Sequence, residues 1–123
     1  MPNLTTTQHF EIFRKEARKW IDWFSLHEWA IGFQHGGTVD PDVYAECWTK
    51  AIGRTALLVL GADWGKNKVT KVQVQRSAFH ECAELWLRNL NDIAERRTFD
   101  ENEAEKETHR LIRLLENRVF DNA

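Results

Sequence analysis

The sequence has little cysteine and no long run of apolar residues. Its two cysteines, Cys47 and Cys82, are too few for a disulfide framework and form no C-x-x-C motif, which favours a reducing compartment. No stretch approaches the ~18 apolar residues that a membrane-spanning helix needs. Residues 1–10 lack the charged and apolar regions of a secretory signal. We therefore expect a cytoplasmic protein with no membrane partner.

The chain also carries little net charge. Its formal net charge is −2, so there is no global attraction to nucleic acid or to an anionic membrane. Basic side chains do recur towards the C-terminus, but acidic residues are interleaved with them, which is typical of a solvated helix surface. Nucleic acid is therefore a poor candidate partner. The basic residues concerned are Arg88, Arg96, Arg97, Arg110, Arg113 and Arg118.

A chain of 123 residues, 42% of them hydrophobic, is long enough to bury a core. No repeat, linker or low-complexity segment interrupts it, so residues 1–123 are predicted to form a single domain. Residues 6–25 have apolar side chains at helical spacing and begin with threonines that can cap a helix. This pattern predicts an amphipathic N-terminal helix.

Between residues 27 and 76 the period changes to that of strands. Trp29, Ile31 and Phe33 alternate with smaller or polar residues up to a Gly-Gly turn. Three further segments have strand-like composition or alternation, including "KVTKVQVQ" at 68–75. Together they predict a three- to four-stranded, mostly antiparallel sheet, with the 68–75 segment as an edge strand to which a peptide could add. Besides "KVTKVQVQ", the further segments with strand-like composition or alternation are "YAECWTK" and "RTALLVL".

Helical spacing returns at Ser77, which is predicted to cap a helix running to about residue 96. A last helix is predicted from about 101 to 119. The whole pattern predicts an α+β fold in which a helix precedes a small sheet and two helices follow it. The predicted buried stripe of the last helix is Ala104, Leu111, Ile112, Leu115 and Val119.

The segment "AFHECAELWL", residues 78–87, nearly matches the zinc-protease motif H-E-x-x-H. His80 and Glu84 are four residues apart, so a helix places them on one face within reach of one metal ion. In the motif, the residues at i and i+4 bind zinc, and the glutamate at i+1 takes a proton from the attacking water. The pattern thus indicates His80 and Glu84 as metal ligands and Glu81 as the general base.

A third ligand must come from another element. The last helix offers Glu105 and His109, again four residues apart. His109 is preferred, because the site would otherwise have one nitrogen ligand, and Glu105 remains an additional ligand or a residue that supports the ligands.

The sequence over roughly residues 20–119 resembles a family of small zincin-like metallopeptidases encoded by bacteriophages and prophages. The resemblance lies in "WAIGF", "YAECWTKAIGRTALLVL", "AFHECAELWL" and "EKETHRLIRLLENRV". It implies a minimal zincin fold, in which the active-site helix follows a short sheet and a closing helix comes last. It also implies a location in the host cytoplasm and a protein or peptide as substrate or partner.

Residue by residue, the resemblance implies that His80 is the first zinc ligand and Glu81 the general base, and His109 matches a histidine that recurs in the family's closing helix. Glu84 departs from the family, whose members generally have histidine there. A carboxylate can bind zinc, but a second acidic ligand favours harder ions such as Mn²⁺. Two functions follow. One is a metal-dependent hydrolase, most directly a zinc peptidase; the other is a catalytically degenerate zincin that binds a host or phage protein.

Overall fold

The computed structural model describes residues 2–95 and 100–120. Within them it contains four α-helices and a three-stranded mixed sheet, which confirms the predicted α+β class. The chain divides into two compact units, residues 1–85 and 86–123, and the single-domain assignment stays a prediction. The elements are α1 (Thr7–Trp23), β1 (Ala30–His35), β2 (Ala45–Lys50), β3 (Thr55–Leu60), α2 (Lys71–Trp86), α3 (Arg88–Glu95), α4 (Glu101–Leu115) and a π-helical turn (Glu116–Phe120). No helix in these residues is long and apolar enough to cross a membrane.

The first unit begins with α1, whose N-terminus is capped by Thr6. The backbone N–H of His9 donates to the Thr6 hydroxyl, and the backbone N–H of Thr6 donates to His9 Nδ1 at 2.9 Å. Histidine here replaces the glutamate or glutamine of a capping box. Phe13 and Ala17, one turn apart, are completely buried, so the predicted amphipathic helix is confirmed.

The sheet has the order β1-β3-β2, with β1 parallel and β2 antiparallel to β3. Central β3 reads "TALLVL", and its Leu58, Val59 and Leu60 are completely buried, as a strand covered on both faces requires. Strands β1 and β2 are the two edges. One of the sheet's edges is therefore the antiparallel strand β2, and this strand borders the site described below.

The predicted strand at 68–75 is wrong: most of this segment is the first turn of α2. The Thr70 hydroxyl accepts a hydrogen bond from the backbone N–H of Gln73, and the helix then runs from Lys71. The alternation of Val72 and Val74 is typical of a strand as well as of a helix. In the structure Val72 is 68% exposed, and Val74 belongs to a buried helical stripe. That stripe consists of the buried residues Val74, Ser77, Ala78, Glu81, Cys82 and Leu85.

Ser77 is consequently inside α2 rather than its N-cap, and its hydroxyl donates to the Gln73 carbonyl at 2.8 Å. The predicted helix from 77 to about 96 is also divided, since α2 ends at Trp86 and α3 begins at Arg88. Residue 96 itself lies outside the described residues.

In the second unit, α3 packs against α4. The Asp100 carboxylate caps α4 by accepting the backbone N–H groups of Asn102 and Glu103. Of the predicted apolar stripe, Leu111 is buried and Ala104 half-buried. The remaining three, Ile112, Leu115 and Val119, are exposed.

Candidate metal centre

The candidate centre is a group of three side chains on the second half of α2. Helical geometry brings His80 Nε2 to 3.3 Å from Glu84 Oε1, as the four-residue spacing predicts. Both side chains are exposed, at 68% and 50%. Glu81, rotated by about 100° from His80, is only 5% exposed, because it lies on the buried stripe of the helix. The group thus pairs two accessible ligands with one buried carboxyl.

These three residues have the chemistry and spacing of a divalent-ion site. One nitrogen and two carboxylate oxygens, one atom from each residue, lie within 4.8 Å of one another. Two ligands of a tetrahedral zinc ion, each at about 2.0–2.1 Å, stand about 3.3–3.4 Å apart, which matches the His80–Glu84 separation. The same separation also suits an ion pair between a protonated imidazole and a carboxylate. The donor set therefore fits zinc or manganese without identifying the ion.

The Glu81 carboxyl is strongly perturbed. Burial, then the negative charge of Glu84 and a hydrogen bond with it, and lastly the charge of Glu46 raise the pKa of Glu81 to about 8. At neutral pH the metal-free protein therefore carries a proton on Glu81. A cation placed beside this carboxyl would reverse the balance and favour its ionised form.

Two adjoining cavities open on either side of this group. The first, which we call the Arg76 cavity, has a volume of about 430 Å³, and its α2 wall continues from Glu81 back to Gln73. The second, the Glu84 cavity, has a volume of about 380 Å³, and its far wall is β2. His80, Glu81, Val43 and Ala45 line both. The group therefore lies midway along a groove between α2 and the β2 edge.

Glu46 on β2 is a site residue that the sequence did not reveal. Its carboxylate accepts the backbone N–H of Val39 at 2.8 Å and of Asp40 at 3.2 Å, and the Trp48 indole N–H at 3.1 Å. Burial would raise the pKa of Glu46, but these hydrogen bonds outweigh burial and lower it. Glu46 is thus a fixed negative charge at the site, placed there by the position of β2 beside α2.

The other predicted site residues lie in the second unit. Glu105 and His109 are both on α4, and both are exposed. Their role as the third ligand stays a prediction. Of the basic residues considered for nucleic-acid contact, Arg110 instead donates to the Glu107 carboxylate at 3.0 Å, as expected for a charge-mixed helix surface. Arg96 and Arg97 are outside the described residues.

No family model matches the chain, and comparison with curated proteins and with solved structures likewise finds no match. The interpretation of the site therefore rests on the geometry of α2 and β2.

Proposed function

We propose that this protein is a metal-dependent hydrolase of peptides, of the zincin-like phage type, in which His80 and Glu84 hold a divalent ion. The observation that carries the proposal is a buried carboxyl, Glu81, directly beside an accessible histidine–carboxylate pair on the wall of a groove. His109 is proposed as the third ligand, with Glu105 as an additional ligand or a support for it. Zinc is the proposed ion, with manganese as the alternative.

The bound ion would supply Lewis acidity, polarising a carbonyl group and making water more acidic. Glu81 is the proposed general base. Its carboxyl is buried next to the ligands, so when ionised it is poorly solvated and accepts a proton readily. His80 and Glu84, both on one rigid helix, would hold their positions relative to Glu81 without depending on a loop.

Glu84 distinguishes this site from a two-histidine centre. A second carboxylate ligand donates negative charge to the ion, which weakens its Lewis acidity and favours harder ions. We therefore expect a slower hydrolase than a two-histidine centre would give, and one that retains activity when manganese replaces zinc.

The free edge of β2 is the proposed binding surface for an extended peptide. It replaces the 68–75 segment in that role, since that segment lies largely in α2. Within the described residues, strand β2 pairs with β3 alone, and its residues 45–48 line the Glu84 cavity. A peptide hydrogen-bonded along this edge would pass directly in front of His80 and Glu81.

The direct test is hydrolysis of a mixed peptide pool by the zinc-loaded protein, with new termini detected by mass spectrometry. We expect cleavage by the wild-type chain and none by Glu81→Gln, with the zinc content of the two proteins equal. Products that persist in Glu81→Gln would contradict the role of Glu81. Absence of cleavage with both zinc and manganese would contradict the hydrolase.

A non-catalytic binding module is the second candidate function. It is favoured by Glu84 in place of histidine and by the raised pKa of Glu81, since a protonated Glu81 can lie beside Glu84 without a metal. For this function, Glu81→Gln would retain binding to the partner protein, because the amide keeps the shape and hydrogen bonding of the carboxyl group.

A further inference from the structure

We propose that the Arg76 cavity is a subsite that binds a carboxylate of the substrate, either an acidic side chain or the C-terminal carboxylate of a peptide. This inference rests on the proposed function, since it assigns the substrate class of the same groove.

Arg76 lies one helical turn before His80 on α2, and both side chains line this cavity. Among the described residues, no carboxylate forms an ion pair with Arg76. Asp42 also lines the cavity, but its carboxylate packs against Gly65, where a Cβ atom would lie 2.9 Å from Asp42 Oδ1. The Arg76 guanidinium is therefore available to a ligand, and its paired N–H donors match the two oxygens of a carboxylate.

The two ends of the groove differ in charge. Asp40, Glu46 and Glu84 line the Glu84 cavity, which would repel a carboxylate. The Arg76 cavity offers a guanidinium group and the amide of Gln73, and its one acidic residue besides the shared Glu81 is Asp42, whose carboxylate packs against Gly65. A substrate with one negative group would consequently place that group towards the N-terminal end of α2.

The spacing relates this subsite to the bond that would be cleaved. Four residues of α-helix rise about 6 Å, and an extended peptide advances about 3.3 Å per residue. A carboxylate held by Arg76 would therefore belong to a residue within about two positions of the bond in front of His80. Both an acidic side chain and a C-terminal carboxylate satisfy this spacing.

The test is NMR titration of the full chain, freed of metal so that no probe can bind through an ion. The first pair of probes is acetyl-Ala-Ala-Ala with a free carboxylate and the same peptide as its amide. The second pair is acetyl-Ala-Glu-Ala-amide and acetyl-Ala-Gln-Ala-amide. The wild type is expected to bind a carboxylate probe at least about tenfold more tightly than its neutral partner, with shifts at residues 73–80. The pair showing the preference identifies which carboxylate is recognised.

Arg76→Gln is expected to abolish the preference, whereas the control Arg18→Gln, an exposed arginine of α1, should keep it. Equal binding of charged and neutral probes by the wild type would overturn the subsite. So would a preference that survives in Arg76→Gln.

Zinc titration of the same proteins separates this inference from the proposed function. Arg76→Gln should bind zinc as the wild type does, because Arg76 is not a proposed ligand. A wild type that prefers carboxylate probes but binds no zinc would leave the subsite standing and remove the hydrolase. A wild type that binds zinc but does not prefer the carboxylate probes would remove the subsite and leave the hydrolase standing.

Discussion

The carboxyl groups of Glu81 and Glu84 lie close together on α2, with one oxygen of each within 4.8 Å of the other. Burial, together with the negative charge of Glu84, favours the protonated form of Glu81 and raises its pKa to about 8. His80, one helical turn before Glu84, completes the cluster. In the metal-free protein a proton thus provides the positive charge that a divalent ion would provide at the same cluster.

Replacing Glu81 by glutamine should stabilise the metal-free protein increasingly as pH rises. The ordinary pKa of the carboxyl is 4.5 and the folded-state value about 8. Stability from the protonated form is complete below about pH 4.5 and is lost as pH rises through about 8. The variant does not titrate there, so its advantage should grow by about 3 kcal/mol between about pH 6 and about pH 9. Urea unfolding in the presence of chelator measures it.

The control for this experiment is Glu11→Gln. Glu11 is 61% exposed and pairs with Arg14 at the surface, so its replacement should show no comparable growth with pH. An advantage of Glu81→Gln that stayed constant from acid to alkaline pH would refute the raised pKa of Glu81.

Replacing Glu46 by glutamine should loosen the segment before β2. The Glu46 carboxylate accepts the N–H groups of Val39 and Asp40, and a neutral amide oxygen is a weaker acceptor. We expect faster hydrogen exchange at these two amides and a loss of about 1 kcal/mol in unfolding free energy. Glu28→Gln is the control, because Glu28 pairs with Arg54 at the surface. Unchanged exchange at Val39 and Asp40 would show that Glu46 does not hold this segment.

Thr6→Ala should destabilise the first unit by about 1 kcal/mol, because it removes the hydroxyl that caps α1. Thr7→Ala is the appropriate control: Thr7 is the first helical residue, and the cap belongs to its neighbour. Chemical unfolding of the two variants should separate them, and equal stabilities would argue against the Thr6–His9 capping box.

Local pattern was sufficient for much of the fold. The apolar spacing of Phe13 and Ala17 defined α1, and the aliphatic run of β3 defined a fully covered strand. The start of α2 could not be read in this way, because Val72 and Val74 suit a strand as well as a helix. Ala78 and Cys82 continue the apolar stripe from Val74 at intervals of four residues, which is helical spacing. They favour a helix over a strand, but only if the sequence is read beyond residue 76.

The site was predictable where it depends on one helix. The spacing of His80, Glu81 and Glu84 is a property of α2 alone, so the sequence was enough to bring them together. The roles of Glu46 and Arg76 depend on β2 lying beside α2, which is long-range pairing that no local pattern encodes. The burial of Glu81, and hence its raised pKa, has the same origin.

Zinc titration by calorimetry is the sharpest test of the proposed metal site. We expect one zinc ion per chain, with affinity reduced at least about a hundredfold by His80→Ala and by Glu84→Ala. His27→Ala is the matched control: His27 is also 68% exposed and lies 3.0 Å from Asp22, and its loss should leave zinc affinity unchanged. A wild type that binds no stoichiometric zinc, or equal losses of affinity in His27→Ala and His80→Ala, would contradict a metal site at His80 and Glu84.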